Sequence, residues 1–161
     1  MRFSASLVIS TLIMALSSCA SADSGSSNHR RPETPTVRQF ALSAITESNV
    51  PQGDCGMVLW TLDEAQPMPI FRYLVGKGGE ISVGGALVAL TLSETSGASA
   101  FGVSEHQVLT STVGLKVTVE VSFSTGFDGG SYLRQGVVRV EAPDGWRIVA
   151  PSAGVAGCRA K

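Results

Sequence analysis

Charge is scarce in this chain: Asp, Glu, Lys and Arg together make up 16% of its 161 residues. From residue 36 onward there are nine Lys and Arg against eleven Asp and Glu, and the bases stand singly rather than in runs. A nucleic-acid partner is not expected, because phosphate-backbone binding needs clustered Lys and Arg. Long apolar runs are missing too. The longest, residues 7–16, is about half of the roughly 20 residues that a membrane-spanning helix requires. No stretch repeats its apolar residues with helical spacing, which argues against α/β folds. Histidine is nearly absent, and His106 is the only one beyond residue 36. No G-x-S-x-G elbow and no D-x-D-x-D calcium loop occurs, so the usual signatures of hydrolases and calcium sites are lacking.

What the chain does have begins at its N-terminus. Arg2, an apolar stretch over residues 7–16 and the small residues that follow have the layout of a secretory signal. Leu16-Ser17-Ser18-Cys19 resembles the lipobox of bacterial lipoproteins, an aliphatic residue and two small ones before a cysteine. The resemblance covers the leader alone. It implies that residues 1–18 are removed and that the Cys19 thiol carries a diacylglyceryl group. Ala20, in place of Asp after that cysteine, resembles the default for transport to the outer membrane, with the domain facing the periplasm. The competing reading is an ordinary signal-peptidase site after Ala20-Ser21-Ala22, which would release a secreted or periplasmic chain beginning at Asp23. One acyl chain holds a protein only marginally, whereas two or more make attachment lasting.

Residues 19–35 read as the lipidated cysteine and a flexible tether. Ser, Asp, Gly, Asn, Arg and Pro fill this segment, which buries too little apolar surface to offset the entropy of ordering. As a coil of about 16 residues it would span about 20–24 Å. His29-Arg30-Arg31 within it reads as a solvated basic cluster.

Residues 36–161 read as one all-β globular domain, an antiparallel sandwich or a small barrel. Strands are expected around Phe40, Leu42 and Ala44, over residues 57–62, 70–75, 80–83 and 86–92, and then over 113–123, 133–141 and 146–150. Residues 93–98 read as a loop, and residues 99–112 are ambiguous, with one short strand open over Ala100, Phe101 and Val103 and another over Gln107 to Leu109. The clearest period of two places Val113, Leu115, Val117, Val119, Val121 and Phe123 on one face. Gly76-Lys77-Gly78-Gly79 and Ala142-Pro143-Asp144-Gly145 are hairpin-turn signals.

Three cysteines in an exported protein would leave an odd thiol, but lipidation of Cys19 leaves Cys55 and Cys158 as a pair. A disulfide between them is expected in the periplasm, an oxidising compartment. It would fasten residues 154–158 beside the strand that starts near Met57.

No residue constellation points to catalysis, a metal or a cofactor. Ser104-Glu105-His106 carries a base and a hydroxyl, yet neighbours in a strand point to opposite faces, and His106 reads as a surface residue. Asp128-Gly129-Gly130 reads as a glycine turn and Asp63-Glu64 as a solvated acidic pair. Trp60 and Trp146 read as core packing, with a ligand pocket as the alternative. The glycine-rich turns open no helix, so they do not form a phosphate cradle.

The expected function is a non-catalytic binding or structural module fixed to the envelope, engaging a protein or glycan. The alternatives are an enzyme with a site assembled from distant residues, or an enzyme inhibitor. Ser96-Gly97-Ala98-Ser99-Ala100-Phe101 is loosely similar to the Ser-Ala-Ser-Gly-Ala-Arg-Tyr motif of small lipidated barrels that inhibit lysozyme. It lacks the Arg, so no residue role transfers. Cys19→Ala is expected to move the protein from the membrane fraction to the soluble periplasmic fraction; membrane association unchanged by that substitution would refute lipidation at this position.

Overall fold

The computed structural model describes residues 40–62 and 65–161. Expectations for residues 1–35, lipidation at Cys19 among them, and for Asp63-Glu64 fall outside the described residues.

Eight strands follow one another: β1 (Cys55–Thr61), β2 (Pro69–Leu74), β3 (Gly78–Val83), β4 (Ala86–Ala100), β5 (Val103–Thr110), β6 (Lys116–Phe127), β7 (Gly130–Glu141) and β8 (Arg147–Cys158). Each pairs antiparallel with the next, and β8 returns to β1, closing a barrel. The choice between sandwich and barrel thus falls to the barrel. Closure leaves no sheet edge along the paired length, which removes a template for aggregation.

Alternation decides what fills the interior. In β6, Val117, Val119 and Val121 are buried while Lys116, Thr118 and Glu120 face outward. Met57 and Leu59 of β1 stand opposite Tyr73 and Phe71 of β2, and all four are buried. Burying each such large side chain contributes about 1.5–3 kcal/mol. The inner face of β8 is built from small residues, Ala150, Ser152, Gly154 and Ala156, which make room for these bulky partners. A Cβ on Gly154 would stand 2.7 Å from Leu59 Cδ2. Polar residues interrupt the inner apolar pattern: Gln107 and Ser152 are fully buried, and none of the polar atoms of their side chains has a hydrogen-bond partner among the described residues. Such a group costs about 1–3 kcal/mol of desolvation.

Several expected elements differ. The segment around Phe40, Leu42 and Ala44 is not a strand; Leu42 makes only an isolated bridge to Val83. A closed barrel offers no free edge for a ninth strand. Residues 40–54 instead form a strap that hydrogen-bonds where it can: Ser43 N donates to Ser82 O (3.0 Å), Ile45 N to Pro69 O (2.8 Å) and Gly53 N to Arg159 O (2.8 Å). Residues 93–98, expected as a loop, continue β4. Their polar character reflects a hairpin arm wet on both faces, and its ladder is interrupted near Ser93 and again between Ser96 and Ser99. β5 is a single strand, reached through a two-residue turn at Phe101 (φ 55°) and Gly102 (φ 73°). Two consecutive positive φ angles match the hand of a tight hairpin, and a Phe in that region is uncommon enough to escape a sequence reading. Val113 is exposed because β6 starts later, at Lys116, and Gly114 N closes the preceding turn on Ser111 O (3.1 Å). The strand expected from residue 70 begins one residue earlier, at Pro69, and the first residue of a strand is a position at which proline is tolerated.

Cys55 and Cys158 are joined by a disulfide across the first rung of the β1–β8 ladder. They lie 103 residues apart in sequence. Closing a loop of that size restricts the unfolded chain by up to about 4.7 kcal/mol in the chain-entropy model. Replacing both cysteines by Ala is expected to lower unfolding free energy by roughly 2–5 kcal/mol in denaturant titration; a loss well under 1 kcal/mol would show that the strap and ladders close the barrel unaided.

Candidate functional groove

The outer face of β8 is also small, with Ala153, Val155 and Gly157 alternating between the inward residues. Beside it, Val58 and Trp60 of β1 stand opposite Val155 and Ala153. Val58, Trp60, Val155 and Gly157 make the floor of an open groove of about 400 Å³. One wall is the strap at Ser48, Asn49 and Val50, and the other is the β6–β7 turn at Phe127, Asp128 and Gly129.

Both walls are held from behind. Arg72 reaches outward from β2, where its guanidinium meets Glu80 (2.8 Å) and Glu47 (3.4 Å) and donates to the Asn49 carbonyl (3.1 Å). Arg159 donates to the Val50 carbonyl (3.4 Å). On the opposite side, Cys158 N donates to Gly129 O (2.9 Å), so the disulfide-fixed end of β8 also positions the turn. The Phe127 ring lies over Gly130, where a Cβ would come within 2.5 Å of Cζ, and packs at a tilt against Tyr132 with centroids 5.0 Å apart. Glycine at 130 is what lets that ring settle on the sheet.

The groove therefore combines an apolar floor, a half-buried Trp60 and an aromatic wall with Asn49, Asp128 and Arg159 at its margin. A concave apolar surface with a few polar groups suits non-covalent capture of a ligand, the rings providing stacking area and the polar groups orientation.

The candidate residues from the sequence are dispersed. His106 lies on the outer face of β5, in register with Ser96 of β4 and Glu120 of β6. Its Nδ1 is 3.8 Å from Glu120 Oε1, while Glu120 Oε2 accepts from Arg139 at 2.6 Å. None of these four residues lines the groove. Asp128 does sit in a glycine turn, with Gly129 at φ 78°, and it borders the groove as well. Among the described residues no three His, Cys, Asp or Glu stand together as metal ligands. The two tryptophans are a correction, since neither belongs to the barrel core. Trp60 points outward because Leu59 points in, and Trp146 lies beyond the strand, in the β7–β8 turn, stacked on Phe40 (6.3 Å, 10°).

Sequence reasoning missed Asn49, Phe127, Val155 and Arg159. The signal for the floor was present in the alternation of Val155 and Gly157, but the walls depend on where the strap crosses. Comparison with protein-family models, with curated proteins and with solved structures found no match in any of the three.

At the barrel mouth bordered by Lys77 and Thr91, a smaller hollow is lined by Tyr73. Burial pushes the Tyr73 phenol above its ordinary value of 10.0, because the interior disfavours the phenolate. A raised folded value means that the stabilisation is fully present below about pH 10 and is lost as pH rises through the folded value. Tyr73→Phe is expected to flatten the decline in thermal midpoint above pH 10 relative to the parent chain; parallel declines in the two proteins would show that Tyr73 does not drive alkaline unfolding.

Proposed function

We propose that this chain is a lipid-anchored protein of the bacterial envelope, held by acyl groups on Cys19, whose barrel is a non-catalytic binding module. Its place is the outer membrane, facing the periplasm, and its partner is an envelope protein or a glycan. The observation that carries the binding reading is the groove, a concave apolar surface whose walls are braced by Arg72, Arg159 and the disulfide. A braced groove binds with less ordering cost than one made of free loops. The lipobox resemblance supports the anchor; cleavage after Ala22 would instead give a secreted or periplasmic protein with the same groove.

A second reading, inhibition of an enzyme, draws on one observation. Ser96 to Phe101 occupy the far arm of the β4–β5 hairpin, where the residues are largely exposed. An exposed hairpin tip is a shape suited to entering a partner's cleft.

The two readings separate by crosslinking in intact cells. A photoreactive residue at Asn49 in the groove is expected to give a discrete adduct, one at Ser99 on the hairpin to give none, and Val155→Trp, which fills the groove, to reduce the Asn49 adduct about tenfold or more. Adducts from Ser99 alone would favour the inhibitor, and hydrolytic turnover by the purified protein would defeat the binding module altogether.

A further inference from the structure

Because the strands alternate in direction, their connections fall on two rims. The β1–β2, β3–β4, β5–β6 and β7–β8 connections share one rim; the other holds the remaining three, together with the disulfide. The described chain also begins on the first rim, where Phe40 stacks on Trp146 and Leu42 bridges Val83.

Large apolar side chains stand out from this same rim. Leu62 is 56% exposed, Leu87 60%, Val113 66% and Trp146 51%, and each lies in or next to one of its four connections. The turns touch: a Cβ on Gly114, next to Val113, would come within 2.7 Å of Pro143 Cγ in the Trp146 turn. The far rim exposes apolar side chains too, Val75 (39%), Phe127 (43%) and Tyr132 (49%), each less than the four named, and the last two pack against each other. Charge near the first rim is mixed. Arg147 pairs with Glu141 (3.1 Å), while Asp144, whose carboxylate accepts from Trp146 N (3.2 Å), and Lys116 keep their charges, and by sequence the β1–β2 connection also carries Asp63 and Glu64. Exposed apolar side chains with a tryptophan, bordered by charged groups that can stay in water, have the composition of a shallow interfacial contact, in which the indole sits at headgroup level.

The lipid-anchor reading says which surface would meet this rim. Twenty residues separate Cys19 from Phe40. Read as a flexible tether, those residues would span about 25 Å, and acyl groups on Cys19 would then keep the Phe40 rim at a high effective concentration near the bilayer. Weak interfacial contacts then suffice, because the encounter is intramolecular. We propose that Trp146, Val113, Leu62 and Leu87 rest this rim in the interfacial layer of the bilayer that holds the lipid on Cys19, so that the barrel stands upright with its far rim directed away. The inference rests on the lipid-anchor reading.

The test uses the mature full-length chain, purified from membranes and reconstituted in vesicles of phosphatidylethanolamine and phosphatidylglycerol, with and without brominated acyl chains. Trp60→Phe leaves Trp146 as the only indole, and Trp146→Phe leaves Trp60. Bromine is expected to quench roughly half of the Trp146 emission and little of the Trp60 emission. Adding Leu62→Asp and Val113→Asp, both at exposed positions, is expected to restore the Trp146 signal while the protein still sediments with the vesicles. An acylated, sedimenting protein whose Trp146 is equally bright on both kinds of vesicle overturns the rim contact and leaves the anchor standing. An unmodified Cys19 and a protein that does not sediment overturn the anchor, and this inference with it. Shielding of Trp146 that grows with protein concentration in the absence of vesicles assigns the rim to a second copy of the chain and overturns the lipid contact.

Discussion

The structure depends on one seam, the register in which β8 returns to β1. Seven rungs from Cys55–Cys158 to Thr61–Ser152 join the first strand to the last. They bring together residues about a hundred positions apart, so their formation carries the largest loop-closure entropy in the domain. Nearly everything else in the barrel pairs with its neighbour in sequence and closes short loops. The disulfide at the end of the seam offsets part of that cost in advance, by limiting how far the two strands can separate in the unfolded chain.

The seam also generates the groove. Its outer side places Val58 and Trp60 beside Val155 and Ala153. A one-residue slip of β1 would send Val58 and Trp60 into the barrel and turn Met57 and Leu59 out to solvent. The small residues of β8 serve both faces: Gly154 admits Leu59 within, and Gly157 leaves space between the strap and the β6–β7 turn without. Packing and recognition thus draw on the same run of small side chains. That run has little latitude for change, since a larger residue at 154 would press on the core and one at 155 would fill the groove.

Much of the fold was legible in the sequence because a period of two over Val117, Val119 and Val121, and turn signals such as Pro143-Asp144-Gly145, report local chemistry. The cysteine pair was legible by arithmetic. The failures have a common source in tertiary context. The residues around Phe40 and Leu42 alternate like a strand, but barrel closure leaves them nothing to pair with over any length. The polar residues 93–98 read as a loop because a sequence window does not show that a hairpin arm can leave the core and stay paired. Trp60 and Trp146 read as core because their size favours burial on average, whereas the alternation of β1 and the position of the β7–β8 turn put both outside. The groove was the least legible feature, since its walls come from segments separated by more than seventy residues. Only its floor left a trace, in the alternating small residues of β8.

Closure in this register is most directly tested by nuclear magnetic resonance of the oxidised protein. Cross-strand proton contacts between Met57 and Ala156 and between Leu59 and Gly154, with slowly exchanging amides along both strands, are the expected result. Fast-exchanging amides on β1 and β8 without those contacts would mean an open sheet, and the groove floor described for Val58, Trp60, Val155 and Gly157 would not exist.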